Sequence, residues 1–285
     1  MIKIGDCMKQ ETKTVIIFFI SLLVIATTIA VATIKCNQNK IKSQKKPSEF
    51  KNVYYYDKTK EKRYINYQKK NKDLSTENIV MNVNIGLDNP YYTNTEPSKN
   101  LNTKLILVNK YHYLTDSYVP NNLVPISTNY SRNGMSLVKE AKEAFEKLAQ
   151  DAKQDNMIIL AISSYRSYDY QLNLYNTYVT ADGKKAADTY SARAGFSEHQ
   201  TGLAVDIYDG ITPYTSFEKT KEFNWMQENA YKYGFILRYP KNKEKITGYQ
   251  YESWHYRYVG IKAAKIIKNK NLSLEEYYVK EVENN

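Results

Sequence analysis

The chain has 285 residues, 42% hydrophobic and 25% charged, a globular composition that excludes wholesale disorder or a collagen-like repeat. A mean hydropathy of −0.63 excludes a polytopic membrane protein, and two cysteines, Cys7 and Cys36, exclude a disulfide framework. The formal charge is +11, from 41 Lys and Arg against 30 Asp and Glu, and it is unevenly placed.

Residues 15 to 34, VIIFFISLLVIATTIAVATI, carry no charge. As a helix they would span about 30 Å, the hydrocarbon thickness of a bilayer. Ala30-Val31-Ala32 has the form of a cleavage site, but the run is longer than an ordinary signal-peptide core, so it reads as an uncleaved anchor. Lys35 stands before Cys36 where a lipoprotein site needs a small residue, so lipidation is not expected. Lys3, Lys9 and Lys13 precede the run, whereas Lys35, Lys40, Lys42, Lys45 and Lys46 follow it, a bias that favours a cytoplasmic C-terminal bulk. Residues 35 to 72 hold 13 Lys and Arg against 3 acids, Glu49, Asp57 and Glu61, for a net of +10, which leaves the rest near neutral. Residues 35 to 77 therefore read as a solvated, self-repelling linker or stalk, with attraction to anionic lipid or wall polymer as the sharper alternative. The near-neutral body argues against nucleic acid as a partner.

The alternation of Ile79, Met81, Val83, Ile85 and Leu87 predicts a strand, and residues 105 to 108 predict another. Leu137, Ala141, Ala144, Phe145, Leu148 and Ala152 recur at threes and fours, which predicts a helix over 136 to 152. Residues 157 to 162 read as a buried strand, 167 to 179 as a helix with Tyr168, Leu172, Tyr175 and Val179 on one stripe, and 203 to 208 as a strand. A helix over 217 to 233 stops at Gly234. Strands over 235 to 239 and 254 to 259 follow, separated by a polar hairpin-like stretch, and then a helix over 261 to 267. Ser273 and Glu276 form a capping box for a last helix. The order predicts an α+β fold: one compact domain over 78 to 285 with a small, mostly antiparallel sheet flanked by helices, after an anchor (1 to 34) and a linker (35 to 77).

Chemistry concentrates in two blocks. One is Ser197-Glu198-His199-Gln200-Thr201-Gly202-Leu203-Ala204-Val205-Asp206, and the other is Glu252-Ser253-Trp254-His255-Tyr256-Arg257-Tyr258. Asp206 lies inside an apolar strand, and a buried carboxylate needs a cation or several donors; a metal and an Arg partner both meet that need. Two His and one Asp are a complete three-ligand set for catalytic zinc, with a fourth position for water. Glu252, three residues before His255, is the type of group that serves as general base. The third histidine, His112, belongs to neither block and reads as structural or surface.

These blocks, with Ser-Tyr-Arg-Ser at 164 to 167, Gln171, Arg-Tyr-Pro at 238 to 240 and Arg-Tyr-Val-Gly at 257 to 260, stand in the order and spacing of the VanY-like D-alanyl-D-alanine carboxypeptidases, which the chain resembles over roughly residues 78 to 270. The resemblance implies a hydrolase of cell-wall peptidoglycan, a metalloprotease holding one zinc ion on His199, Asp206 and His255, with Glu252 as base. It implies that Arg166 faces substrate and Gln171 lines the same pocket, and that Ser197, Tyr239 and Trp254 shape the site for the terminal D-residue. Arg166 and Arg193 are both candidates to hold the substrate carboxylate. Ala194 and Ser253 stand where the family often has Pro, at positions that are not ligands. The implied reaction removes C-terminal D-alanine from peptidoglycan stem peptides, chemistry tied to antibiotic resistance. The rivals are an L,D-carboxypeptidase trimming tetrapeptide stems and a non-catalytic wall-binding module of the same fold. A stem-peptide substrate requires the body outside the plasma membrane, against the lysine bias.

Overall fold

The computed structural model describes residues 26–35, 49–132 and 134–283. The chain divides into a unit over residues 1–54 and a compact unit over 55–285. In the first, residues 26–35 are helical with Ile29, Val31 and Ile34 exposed, and Glu49–Asn52 forms a 3₁₀ turn. Most of the expected span at 15–34 lies outside the described residues. Among those residues no helix is long and apolar enough to cross a membrane.

The compact unit begins earlier than residue 78. Residues expected in the linker form helix α1 (Glu61–Lys70), which packs on α2 (Thr76–Ile85). Tyr64 is buried, and the Arg63 guanidinium grips Asp88 by two hydrogen bonds of 2.8 and 2.6 Å. Helix α2 replaces the strand expected over 79–87. Ser75 caps its start by accepting from the Asn78 amide, and Gly86 ends it in the left-handed region at φ +104°. Burial of Val80 beside Ile79, Met81, Val83 and Ile85 breaks the period of two that suggested a strand.

Two-stranded pairs follow: β1 (Glu96–Pro97) with β2 (His112–Tyr113), parallel, and β3 (Leu123–Pro125) with β4 (Ser136–Val138), antiparallel. The apolar run 105–108 joins no ladder. Ile106, Leu107 and Val108 are buried, but the Ile106 carbonyl accepts from Arg257 Nη2 at 2.7 Å and that of Leu107 from Ser98 Oγ at 2.8 Å. Helix α3 (Lys139–Gln154) turns Ala141, Phe145, Leu148, Ala149 and Ala152 to the core, as its spacing predicts.

The main sheet is four-stranded and antiparallel: β5 (Leu160–Ser163), β6 (Ala204–Tyr208), β8 (His255–Tyr258) and β7 (Phe235–Leu237), in that order. Alternation gives its strands two characters. Val205, Ile207, Tyr256 and Tyr258 enter the larger core with α3, whereas Ala204, Asp206, His255 and Arg257 point to the other face. A second cluster joins Leu107, Ile236 and Val259 to helices α8 (Ile261–Lys270) and α9 (Leu274–Glu281). Both capping-box bonds of Ser273 and Glu276 are present.

Helix α4 (Tyr168–Asp182) is capped by Ser167, but it buries Gln171 and Tyr175 while Leu172 stays exposed. Helix α5 (Lys184–Tyr190) follows. The helix expected over 217–233 is cut by Thr220, whose hydroxyl caps α6 (Lys221–Asn229), with 3₁₀ turns on either side. The hairpin-like stretch contains the short helix α7 (Glu244–Thr247).

Gly234 turns the chain into β7 at φ +86°, and a Cβ there would sit 2.8 Å from the Tyr258 ring and 3.0 Å from the Gly260 backbone. Gly183 has a similar φ of +79° but open space around it. With ψ 154° Gly183 lies where glycine is strongly favoured, so Gly183→Ala should cost backbone strain alone, about 1–3 kcal/mol. Gly234→Ala should cost more, seen as a lower urea midpoint at unchanged m-value.

Candidate active site

Register brings two of the expected ligands together. Asp206 on β6 lies opposite His255 on β8 and opposite Ser163 on β5, so its carboxylate and the His255 ring share one face of the sheet. The third ligand arrives on a 3₁₀ turn, Glu198–Thr201, capped by Ser197. Gly202 at φ +66° reverses the chain from that turn into β6.

The tautomers follow from what each ring nitrogen meets. His199 Nδ1 lies 2.7 Å from the Ser164 carbonyl, which can only accept, so Nδ1 carries the proton and Nε2 keeps its lone pair. That Nε2 stands 3.3 Å from Asp206 Oδ2, and His255 Nδ1 stands 3.0 Å from Asp206 Oδ1. One ligand atom from each of His199, Asp206 and His255 lies within 4.8 Å of the others. All three residues are buried, and Asp206 Oδ1 has no hydrogen-bond donor among the described residues. Two imidazole nitrogens and one carboxylate oxygen converging on a point, with an orphaned buried oxygen among them, fit one zinc ion. The Arg partner also exists: Arg166 Nη2 donates to Asp206 Oδ2 at 3.0 Å and to His199 Nε2 at 2.9 Å.

Arg166 is locked by its own turn. Its Nε donates to Ser163 Oγ at 3.1 Å, its Nη1 to Gln171 Oε1 at 2.9 Å, and its amide to the His199 carbonyl at 3.3 Å. Gln171 Nε2 continues to the Ala192 carbonyl at 2.7 Å. The Ser-Tyr-Arg-Ser block thus has a physical reason: Ser164 orients His199, Arg166 enters the site, and Ser167 starts α4.

Burial dominates the electrostatics. It pushes the Glu252 carboxyl up to about 8, with Asp206 adding to the rise against the pull of His255 and Arg166. Glu252 Oε2 lies 3.8 Å from His255 Nδ1. Burial and Arg166 push His199 down to about 4, which keeps it neutral. Burial opposes charge on His255 as well, but Asp206 and Glu198 outweigh it and raise this imidazole to about 9. Asp206 is held well below the usual carboxylate range despite burial, with His255 beside Oδ1 and Arg166 donating to Oδ2.

The site opens on a cleft of about 380 Å³ lined by Arg166, Gln171, Ser197, Tyr239, Glu252 and Trp254 beside the three ligands. Tyr239 packs its ring 4.9 Å from that of His255, and Trp254 meets Tyr214 edge-on at 5.2 Å. Arg193, expected as a substrate residue, does not line this cleft. Its guanidinium is held by Asp188 at 3.0 and 2.8 Å and lies 3.8 Å over the Tyr92 ring. His112 is elsewhere too, with Nδ1 at 3.1 Å from Asn109 Oδ1. Sequence reasoning assigned no role to Glu198, Arg238, Arg257 and Glu275, which form a buried ion network directly behind His255. The signal was an Arg within or beside each of two apolar strands, which demands a buried anion.

His199→Ala should lose zinc from the purified chain, with affinity falling by more than the roughly 10- to 100-fold typical of outer-shell changes. Arg193→Ala should keep it. Metal analysis after gel filtration checks both, and a full equivalent on His199→Ala would remove that ligand.

A family model described as VanY, D-alanyl-D-alanine carboxypeptidase, matches residues 134–261. YodJ of Bacillus subtilis (strain 168), which carries a carboxypeptidase name, is 40% identical over 219 residues, 72% of this chain and 80% of that protein. The solved structure of the LD-carboxypeptidase LdcB matches with a TM-score of 0.62 at 43% identity, covering 66% of this chain and 91% of LdcB. That of VanY, a vancomycin-resistance D,D-pentapeptidase in complex with Zn(II), matches with a TM-score of 0.52 at 36% identity over 61% of this chain and 98% of VanY. With His, Asp and His converging beside a buried Glu and an Arg, and with this extent of identity, the chain belongs to the VanY-like carboxypeptidase family.

Proposed function

We propose that this chain is a zinc-dependent carboxypeptidase that removes the C-terminal D-alanine of peptidoglycan stem peptides. The observation that carries the reading is the convergence of His199, Asp206 and His255 beside Glu252 and Arg166 in one cleft. Zinc held by these ligands would supply Lewis acidity and lower the pKa of a coordinated water toward about 7. Burial alone would keep Glu252 protonated at neutral pH, and the charge of a zinc ion beside His255 would favour its carboxylate, which takes the proton of the attacking water and returns it to the departing amine. Arg166 presents a fork whose orientation is fixed by Ser163 and Gln171, suited to a substrate carboxylate or a developing oxyanion. Tyr239 and Trp254 supply apolar walls for the terminal residue.

A second reading, trimming of tetrapeptide stems by L,D-cleavage, is favoured by the match to LdcB, whose TM-score of 0.62 exceeds the 0.52 of VanY. Both readings use the same residues and differ in the peptide accepted. The intact Glu252 and ligand set argues against a non-catalytic wall-binding module.

Residues 15–34 anchor the chain in the plasma membrane in this proposal, with the catalytic unit extracytoplasmic. The lysine bias opposes this, but long domains translocate despite flanking charge. The basic residues after the anchor would then meet anionic wall polymer.

Glu252→Ala should retain zinc and lose roughly 100- to 10,000-fold in turnover. Release of D-alanine from defined penta- and tetrapeptides, with and without a chelator, measures this and identifies the preferred stem. Turnover by Glu252→Ala at the rate of the unaltered chain would remove the proposed base. Protease added to intact cells should digest the catalytic unit, and its protection would exclude a wall substrate.

A further inference from the structure

Behind His255 four ionisable side chains are packed out of contact with water: Glu198 at 2% exposure, Arg238 and Arg257 at 0%, and Glu275 at 1%. Burying such charges costs several kcal/mol per ion unless geometry compensates. Here the compensation is nearly complete. Glu198 Oε1 accepts from Arg238 Nε at 2.8 Å and from Arg257 Nη1 at 2.7 Å. The outer edge of Arg238 forks onto Glu275 of α9 at 2.9 and 2.6 Å, and Asn109 Nδ2 adds a bond of 3.2 Å to the same carboxylate. Arg257 also donates to the carbonyls of Ile106 and Lys104 at 2.7 and 3.2 Å. Both arginines therefore hold Glu198 in place against burial.

One valence is left over. Glu198 Oε2 and His255 Nε2 face each other at 3.7 Å, and each is buried without a hydrogen-bond partner among the described residues. The other nitrogen of that ring, Nδ1, is the one aimed at Asp206. We infer that Glu198 is a positioning residue for the metal centre: its unpaired oxygen takes the Nε2 proton of His255, which commits the Nδ1 lone pair to the ion, and Arg238 with Glu275 of the C-terminal helix holds that oxygen in register. A carboxylate behind a ligating imidazole fixes tautomer and ring orientation and raises ligand basicity. Glu275 lies outside residues 134–261, so the support of the site reaches beyond the segment that the family model matches. This inference rests on the zinc reading proposed above.

The experiment measures zinc affinity of the full chain by chelator competition, and the absorption spectrum of the cobalt(II)-substituted protein, for Glu198→Gln, Glu275→Gln and a control, Glu222→Gln. In Glu198→Gln the carbonyl oxygen stays with the arginines and the amide N–H faces His255 Nε2, which then must accept and leaves Nδ1 protonated. Zinc affinity should fall roughly 10- to 100-fold and the cobalt spectrum should shift. Glu275→Gln should move both readouts in the same direction by less. Glu222 is also buried and lies near the Ile158 amide, away from the cleft, so its variant should move neither. A folded Glu198→Gln with zinc affinity within twofold of the unaltered chain and the same cobalt spectrum overturns the inference. If Glu198→Gln does not fold, Glu275→Gln, which keeps Glu198 and both arginines, decides by the same criterion. If the unaltered chain binds no zinc, it is the metal reading that fails instead.

Discussion

Asp206 and His255 face each other across neighbouring antiparallel strands, and the rest of the site is arranged around that pair. A carboxylate at this depth is stable only against positive charge or strong donors. The protein supplies His199 from a 3₁₀ turn, His255 from β8 and Arg166 from the β5–α4 turn, all aimed at the two oxygens of one residue. One oxygen still lacks a hydrogen bond, and one ring nitrogen of each histidine lies toward the same space. The requirement of a single buried anion thus builds a metal-binding geometry and the anchoring of its neighbouring arginine together.

The sheet separates that polar task from the packing that supports it. On one face Val205, Ile207, Tyr256 and Tyr258 interlock with Phe145 and the other buried residues of α3. On the other face, the candidate ligands alternate with ion-pair residues, and Arg257 on β8 reaches Glu198 beside His199. A one-residue slip of β8 against β6 would exchange these faces, placing His255 in the apolar core and Tyr256 in the cleft. The buried network of Glu198, Arg238, Arg257 and Glu275 resists such a slip because each guanidinium would lose its matched carboxylate.

Reading the chain from its residues alone works best where a local signal coincides with a local cause. The helix over α3 follows from its apolar spacing, the last helix from Ser273 and Glu276, and the end of the preceding 3₁₀ turn from Gly234. It fails where tertiary contacts overrule pattern. Residues 79–85 alternate like a strand because a helix buried on several sides also places apolar residues at every second position. Residues 105–108 are apolar enough for a strand, yet side chains of Arg257 and Ser98 take the carbonyls that a ladder would use. Charge density suggested a linker through residue 77, but Tyr64 and Arg63 turn one face of α1 inward while its lysines remain solvated.

Residue type and spacing alone singled out the side chains that converge in the cleft: two imidazoles, a carboxylate in an apolar strand and a glutamate three residues before a histidine. Packing fixes which arginine lies over His199 and Asp206. Arg166 and Arg193 look equivalent in the chain, but hydrogen bonds donated to Ser163 and Gln171 hold the first over the site, whereas the second is held by Asp188 and lies over Tyr92, outside the cleft lining. The same holds for Glu198 and Glu275, whose partners lie 40 and 37 positions away at Arg238. The arginines stand out as charges in or beside apolar strands, but the carboxylate each one meets does not, because the energy that selects the pairing comes from desolvating charges that meet only when the strands and the C-terminal helix have packed.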